Sequence, residues 1–259
     1  MAFKSALLNV VEDSFSLSDG LRSCAASVKY DGSLVTSFDL LIQKNIFEYL
    51  ASAFPGCSVL GEEMSLSDQQ AALSNPNGCW VLDPIDGTTN FASGFPVFSV
   101  SLALVVDSEV VLGLVYDPVR RELFSARKGL GAELNGMSLT LPQDVFALEE
   151  CIAIIDFKRL PAEWVSSIWQ KPPFRSHRSL GSVALEWCWL AAGRAHIFAY
   201  AQHGIWDYAA AHLILQEAGG ACCGFDGSPV FVPRVEKRSA LAAQNAKTLH
   251  AWYAWFKTL

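Results

Sequence analysis

Two carboxylates three residues apart, Asp83 and Asp86, lie in the stretch Trp-Val-Leu-Asp-Pro-Ile-Asp-Gly-Thr-Thr-Asn over residues 80–90, where a short apolar run stops at an acid and passes into a turn. Pro84 fixes its own φ and has no N–H, so the link between the acids is stiff and the Ile85 carbonyl is free to face a ligand. Oxygen donors on a rigid backbone suit a hard cation such as Mg²⁺, which takes a near-octahedral shell and keeps waters or phosphate oxygens in it. Gly87, Thr88 and Thr89 follow, small residues through which N–H groups at a helix start approach an anion. Metal and phosphate would then share one turn. The same residues also spell a capped surface turn, because Asp-Gly is a turn signal in its own right.

Other acids stand where elements begin or end. Asp39 opens an amphipathic helix with Ile42, Ile46, Leu50 and Ala53 on its apolar side, the position of a plain N-terminal cap. Glu62 and Glu63 follow a strand at residues 58–60. A glutamate pair is usually a solvated one, yet strand ends are where α/β proteins place ligand groups. Trp206-Asp207 opens a helix after His203-Gly204, and the helix dipole alone would account for an acid there. The five histidines show no ligand spacing.

The elements that would position these groups read as follows. A helix runs to about residue 29, interrupted near Gly20, followed by a turn at residues 30–33 and an extended piece at 34–38. Residues 65–77 are polar and loop-like. Residues 98–106, 110–116 and 122–126 alternate as an antiparallel meander, with further turns at 128–131 and Asn135-Gly136. Beyond 139–150 the pattern changes to strand and helix in alternation: strands at 151–155 and 195–200, helices at 161–170, 182–192 and 208–218. Short strands at 221–225, 230–232 and 239–243 precede a terminal helix holding Trp252 and Trp255. The expected division is an N-terminal α+β region, 1–140, with most metal ligands, and a C-terminal α/β region, 141–259, supplying Asp207 and the substrate pocket.

Composition bounds the function. The chain has 259 residues, 51% hydrophobic and 17% charged, enough to bury a large core. A net charge of −7 without a concentrated basic patch argues against direct nucleic-acid binding. An acidic protein that handles an anionic substrate needs cations to reverse its local field. Seven cysteines without C-x-x-C spacing read as reduced, mostly buried thiols of a cytoplasmic protein. The start carries no extended apolar segment of a signal peptide, and the longest apolar runs are too short to span a bilayer.

Together these motifs resemble the inositol monophosphatase family of the lithium-sensitive, metal-dependent phosphatases. The resemblance runs through Leu34-Val35-Thr36-x-x-Asp39, Gly61-Glu62-Glu63, residues 80–90, Trp206-Asp207 and Glu217-Ala218-Gly219-Gly220, nearly the whole chain. It implies a layered αβαβα sandwich of mixed α/β (α+β) class, a homodimer, and a phosphomonoesterase acting on a small polyol or sugar phosphate. Carried over by position, it implies that Glu62, Asp83 and the Ile85 carbonyl hold one Mg²⁺ and that Asp83, Asp86 and Asp207 hold a second. Glu62 would assist a weaker third ion through water. Thr88, paired with Asp39, would activate the attacking water, and the Gly87 and Thr88 N–H groups would bind phosphate. Tyr200, seven residues before Asp207, stands where animal members carry a glutamate that contacts inositol hydroxyls, so Tyr200 and Asp207 are the expected substrate contacts. Two further departures are a shorter segment between Lys29 and Asp39 and Ser33 where an aspartate is usual. Relatives acting on fructose bisphosphate, histidinol phosphate or 3′-phosphonucleotides share the motifs, and some bacterial relatives bind the transcription machinery, which makes a regulatory binding module the alternative reading.

Overall fold

A computed structural model describes residues 2–16, 26–28 and 34–259. Helix α1 (Ala2–Ser16), strands β1 (Ala26–Val28) and β2 (Leu34–Thr36) and helix α2 (Ser37–Ala53) come first. Strand β3 (Ser58–Gly61), helix α3 (Leu66–Leu73), strand β4 (Cys79–Asp86) and helix α4 (Thr88–Ser93) follow. Strands β5 (Ser99–Val106), β6 (Glu109–Asp117), β7 (Glu122–Arg127), β8 (Ala132–Leu134) and β9 (Met137–Leu139) complete the first half. In space β3 to β9 lie in chain order as one seven-stranded sheet, antiparallel except for the parallel β3–β4 pair. The meander is legible in its turns: Asp107-Ser108 and Asn135-Gly136 join strands through two residues with φ of 49°, 65°, 51° and 78°, the doubly left-handed loop that matches strand twist.

The second half forms a five-stranded sheet in the order β11-β10-β12-β14-β13. Its elements are β10 (Ile152–Ile155), α5 (Ala162–Gln170), β11 (Ser176–Arg178), α6 (Val183–Ala191), β12 (Ile197–His203), α7 (Ile205–Glu217), β13 (Ala221–Cys223), β14 (Arg238–Ala243) and α8 (Ala246–Phe256).

Strand alternation sorts the core into layers. Trp80, Leu82, Val100 and Leu102 face Leu7 and Val11 of α1 and Ile42, Ile46 and Leu50 of α2. Val81, Ala103, Val105 and Val115 face the opposite way, onto Trp187 of α6 and Tyr208, Ala211 and Leu215 of α7. That central layer is closed by Phe198, Ala240 and Ala242 of the second sheet, whose alternate residues Ile197, Ala199, Leu241 and Ala243 pack on Ile168 of α5 and Trp252 and Phe256 of α8. The result is the five-layer αβαβα sandwich. Among the described residues no helix is long and apolar enough to cross a membrane, and no described cysteine is in a disulfide.

Three local expectations are corrected. Residues 26–28 form strand β1, antiparallel to β2, because pairing outweighs the weak helix preference of Ser27 and Val28. Residues 66–73 form a helix and not a loop. Ser65 caps it by accepting the Asp68 N–H at 3.2 Å, and buried Gln69 donates to the Gly61 and Glu62 carbonyls at 3.0 and 3.1 Å. Residues 230–232 are not a strand; Val230 and Phe231 instead fill the central layer. The turn at residues 30–33, Ser33 and Gly20 lie outside the described residues.

Candidate metal centre

Strand β4 carries two of the acids through an irregularity. Its pairing with β5 runs from Cys79 opposite Val105 to Asp83 opposite Ser101, breaks, and resumes with Asp86 opposite Ser99. Pro84, without an N–H, occupies the break, where an interior strand tolerates a proline. On the other edge the parallel pairing with β3 ends at Gly61 and Leu82, so Asp83 lies one residue past the last rung, beside Glu62. Gln69 of α3 holds the chain there through the Glu62 carbonyl.

Asp207 arrives from the other half of the chain, in the first turn of α7. Its Oδ2 accepts the Gly204 N–H at 2.7 Å, and a Cβ on Gly204 would lie 2.6 Å from the Trp206 ring. One carboxylate oxygen each from Asp83, Asp86 and Asp207 lies within 4.8 Å of the others. Glu62, half-buried, stands outside that tight group but acts on it through its charge.

Burial pushes the Asp83 carboxyl well above the usual range, and the charges of Glu62, Asp86 and Asp207 push it further. Asp207 is raised in the same way, by burial and then by Asp86 and Glu62. Asp86 is raised by burial against the opposing pull of its hydrogen bonds. Its Oδ2 accepts from Ser182 Oγ at 2.6 Å and the Ala184 N–H at 2.7 Å, and its Oδ1 from the Val183 N–H at 3.1 Å. Asp86 therefore caps α6 from a different element, satisfying N–H groups that a helix start leaves open. Buried carboxylates driven toward protonation by one another fit a divalent cation, whose charge reverses each of those shifts, and an all-oxygen donor set fits Mg²⁺.

Asp39 is the third residue of α2, buried, and not its cap. Thr88 Oγ1 donates to the Ile85 carbonyl at 3.0 Å and lies 3.4 Å from Asp39 Oδ1. The Ile85 N–H donates to Asp83 Oδ1 at 3.1 Å. Gly87 precedes α4 with φ of +94°, and a Cβ there would meet the Gly181 carbonyl at 3.0 Å, so both conformation and space require glycine.

The profile of the inositol monophosphatase family matches residues 1–256. The chain belongs to that family. The Nus factor SuhB of Pasteurella multocida is 34% identical over 227 residues, covering 85% of this chain and 81% of that one. Inositol monophosphatase 1 of Homo sapiens is 34% identical over 220 residues, covering 82% and 77%. The crystal structure of the extragenic suppressor protein suhB from Bartonella henselae superposes with a TM-score of 0.83 at 27% identity, covering 99% of each chain.

Within this inositol monophosphatase family chain, several site residues carry signals that sequence reading passed over. Ser182 stands at the N-cap of α6 without capping it through its side chain, and its hydroxyl serves Asp86. Glu186, buried in α6 and pushed up to about 8 by burial, accepts the Leu180 and Gly181 N–H groups at 2.5 and 3.2 Å and so shapes the turn that delivers Ser182. Asn90 donates to the Val97 and Leu180 carbonyls at 2.7 Å each, tying α4 to the same turn. Tyr200 is buried on β12, its ring 5.1 Å from the Arg159 guanidinium.

Proposed function

We propose that this inositol monophosphatase family member is a Mg²⁺-dependent phosphomonoesterase hydrolysing a small polyol or sugar phosphate. The observation that carries this is the convergence of Asp83, Asp86 and Asp207 from separate halves of the chain onto one point. Asp83, Glu62 and the Ile85 carbonyl are assigned to one ion, and Asp83, Asp86 and Asp207 to a second, with Glu62 supporting a third through water. When bound, the ions supply Lewis acidity toward the phosphoryl oxygens and charge to stabilise a departing alkoxide. Thr88 orients the attacking water, and its hydroxyl links that water to the Asp39 carboxylate, which draws off the proton. The Gly87 and Thr88 N–H groups receive phosphate oxygens.

Phosphate release from a panel of small phosphomonoesters, with Mg²⁺ and with a chelator, tests this reading. Turnover that requires Mg²⁺ is expected; a folded, Mg²⁺-loaded protein that cleaves none of them overturns it. The family further supports a cytoplasmic homodimer inhibited by lithium, checked by sedimentation and by assay in lithium chloride. A second reading, a regulatory module of the transcription machinery, is favoured by the name Nus factor carried by the Pasteurella multocida relative. It predicts that a catalytically dead Asp83→Asn protein retains its cellular role.

A further inference from the structure

Next to the acid cluster lies a cation that the proposed hydrolysis does not use. The turn Phe157–Arg159 after β10 is capped by Asp156, whose Oδ1 accepts the Lys158 N–H at 3.0 Å. Asp156 Oδ2 accepts from Arg159 Nη1 at 2.6 Å, and the same Nη1 donates to the Tyr200 hydroxyl at 2.5 Å. The two groups that hold Arg159 are buried, Asp156 at 7% and Tyr200 at 5% exposure, whereas the Arg159 side chain is 44% exposed. Tyr200 lies on the strand that leads into Asp207, and the charges of Asp207 and Arg159 act on each other. Arg159 is thus a neighbour of a metal-site acid.

A guanidinium presents five N–H donors and no acceptor. Here both bonds leave from Nη1, and Nη2 and Nε donate to no described residue. The ring beneath and the carboxylate behind fix the plane of the fork, and a fork so held is organised in advance for a bidentate oxyanion. Tyr200, whose phenol burial keeps protonated, accepts from Arg159, and its own O–H, which donates to no described residue, remains as a further donor. A face made of donors alone pairs with acceptors. A neutral polyol hydroxyl accepts one such bond and brings a donor of its own, while a phosphate or carboxylate accepts two from the fork and matches its charge.

We infer that the substrate's leaving group carries a second anionic group, a phosphate or a carboxylate, received by the open edge of Arg159 and by the Tyr200 hydroxyl. This rests on the phosphomonoesterase reading above and names the substrate class of that site. The test compares kcat/KM for glycerol 2-phosphate, a hexose bisphosphate and a phosphorylated hydroxy acid, with wild type, Arg159→Gln, Arg159→Lys and Tyr200→Phe. Wild type is expected to prefer one of the two doubly anionic esters, and which of them it prefers separates phosphate from carboxylate. Arg159→Gln should cut that preference ratio on the order of ten- to hundredfold, mostly through KM, with Arg159→Lys restoring part of it and Tyr200→Phe lowering it less. Should Arg159→Gln fail to fold, the lysine and phenylalanine variants carry the same comparison. Wild type that cleaves glycerol 2-phosphate as efficiently as both anionic esters, or a ratio indifferent to all three substitutions, overturns this inference alone. Absence of turnover on every ester overturns the hydrolase reading and this one with it.

Discussion

Asp83 and Asp86 occupy the same short motif, yet their surroundings give them opposite consequences for stability. Asp86 accepts hydrogen bonds from Ser182, Val183 and Ala184, so Asp86→Asn turns one acceptor oxygen into a donor that faces donors. We expect that change to cost on the order of 1–3 kcal/mol in urea unfolding, in addition to abolishing turnover. Asp83 makes one bond, to the Ile85 N–H, and carries the repulsion of Glu62, Asp86 and Asp207. Its folded pKa lies above the unfolded value, so its contribution to stability is present at low pH and is lost as pH rises through the folded pKa. In chelator at pH 8, Asp83→Asn should therefore unfold at higher urea than wild type, with the gap closing toward pH 4, while turnover is lost. A midpoint below wild type at pH 8 would show that neither burial nor repulsion penalises the Asp83 carboxylate in the folded protein. At Thr88 and Asp39, each of Thr88→Ala and Asp39→Asn is expected to lower kcat about 10²- to 10⁴-fold, and the pair together no further than the worse single change. Multiplying losses would mean that the two act separately.

Helix α7 brings Asp207 to the site, and its position is set by how closely it lies on the seven-stranded sheet. A Cβ on Gly113 of β6 would stand 2.5 Å from the Ala210 carbonyl oxygen, backbone against backbone. Gly113→Ala must push α7 outward and tilt Asp207 away from Asp83 and Asp86. The expected result is a loss of about 1–3 kcal/mol in stability and a higher Mg²⁺ concentration for half-maximal activity. An unchanged Mg²⁺ requirement would show that α7 adjusts locally without moving its first turn. Elements of this kind differ in how far a sequence discloses them. The meander was legible because its strands alternate and its turns carry Asp-Ser and Asn-Gly, and the acids at strand and helix ends were legible because their types leave few uses. Helix α3 was not, since it buries a glutamine and not an apolar stripe, and what that glutamine binds is backbone. The cap of α6 was not, because a hydrogen bond from the Ser182 hydroxyl across to Asp86 has no periodicity. Arg159 against Tyr200 lay equally out of reach, since two residues 41 apart in sequence meet only when β10 and β12 pair.

At the scale of the molecule, the layer between the two sheets holds two buried histidines against one tryptophan. His203 and His212 lie with ring centres 6.2 and 6.3 Å from Trp187, and neither finds a partner for one of its ring nitrogens among the described residues. Burial lowers His203 to about 3 and His212 to about 4, so both are neutral in the folded protein near pH 7. An unfolded chain would bind these protons near pH 6.5. Folded pKa values below the unfolded ones mean that this stability is fully present above about pH 6.5 and is lost as pH falls through 6.5 toward 4 and then 3. For His212 the loss approaches roughly 3 kcal/mol at the acid end. Because the two rings sit where α6 and α7 separate the sheets, charging them would part the layers and unfold the sandwich as a unit. In His212→Leu, which fills the site without a titratable group, the fall in unfolding midpoint between pH 7 and pH 4.5 should be clearly smaller than in wild type. Identical slopes in the two proteins would place the acid sensitivity elsewhere in the chain.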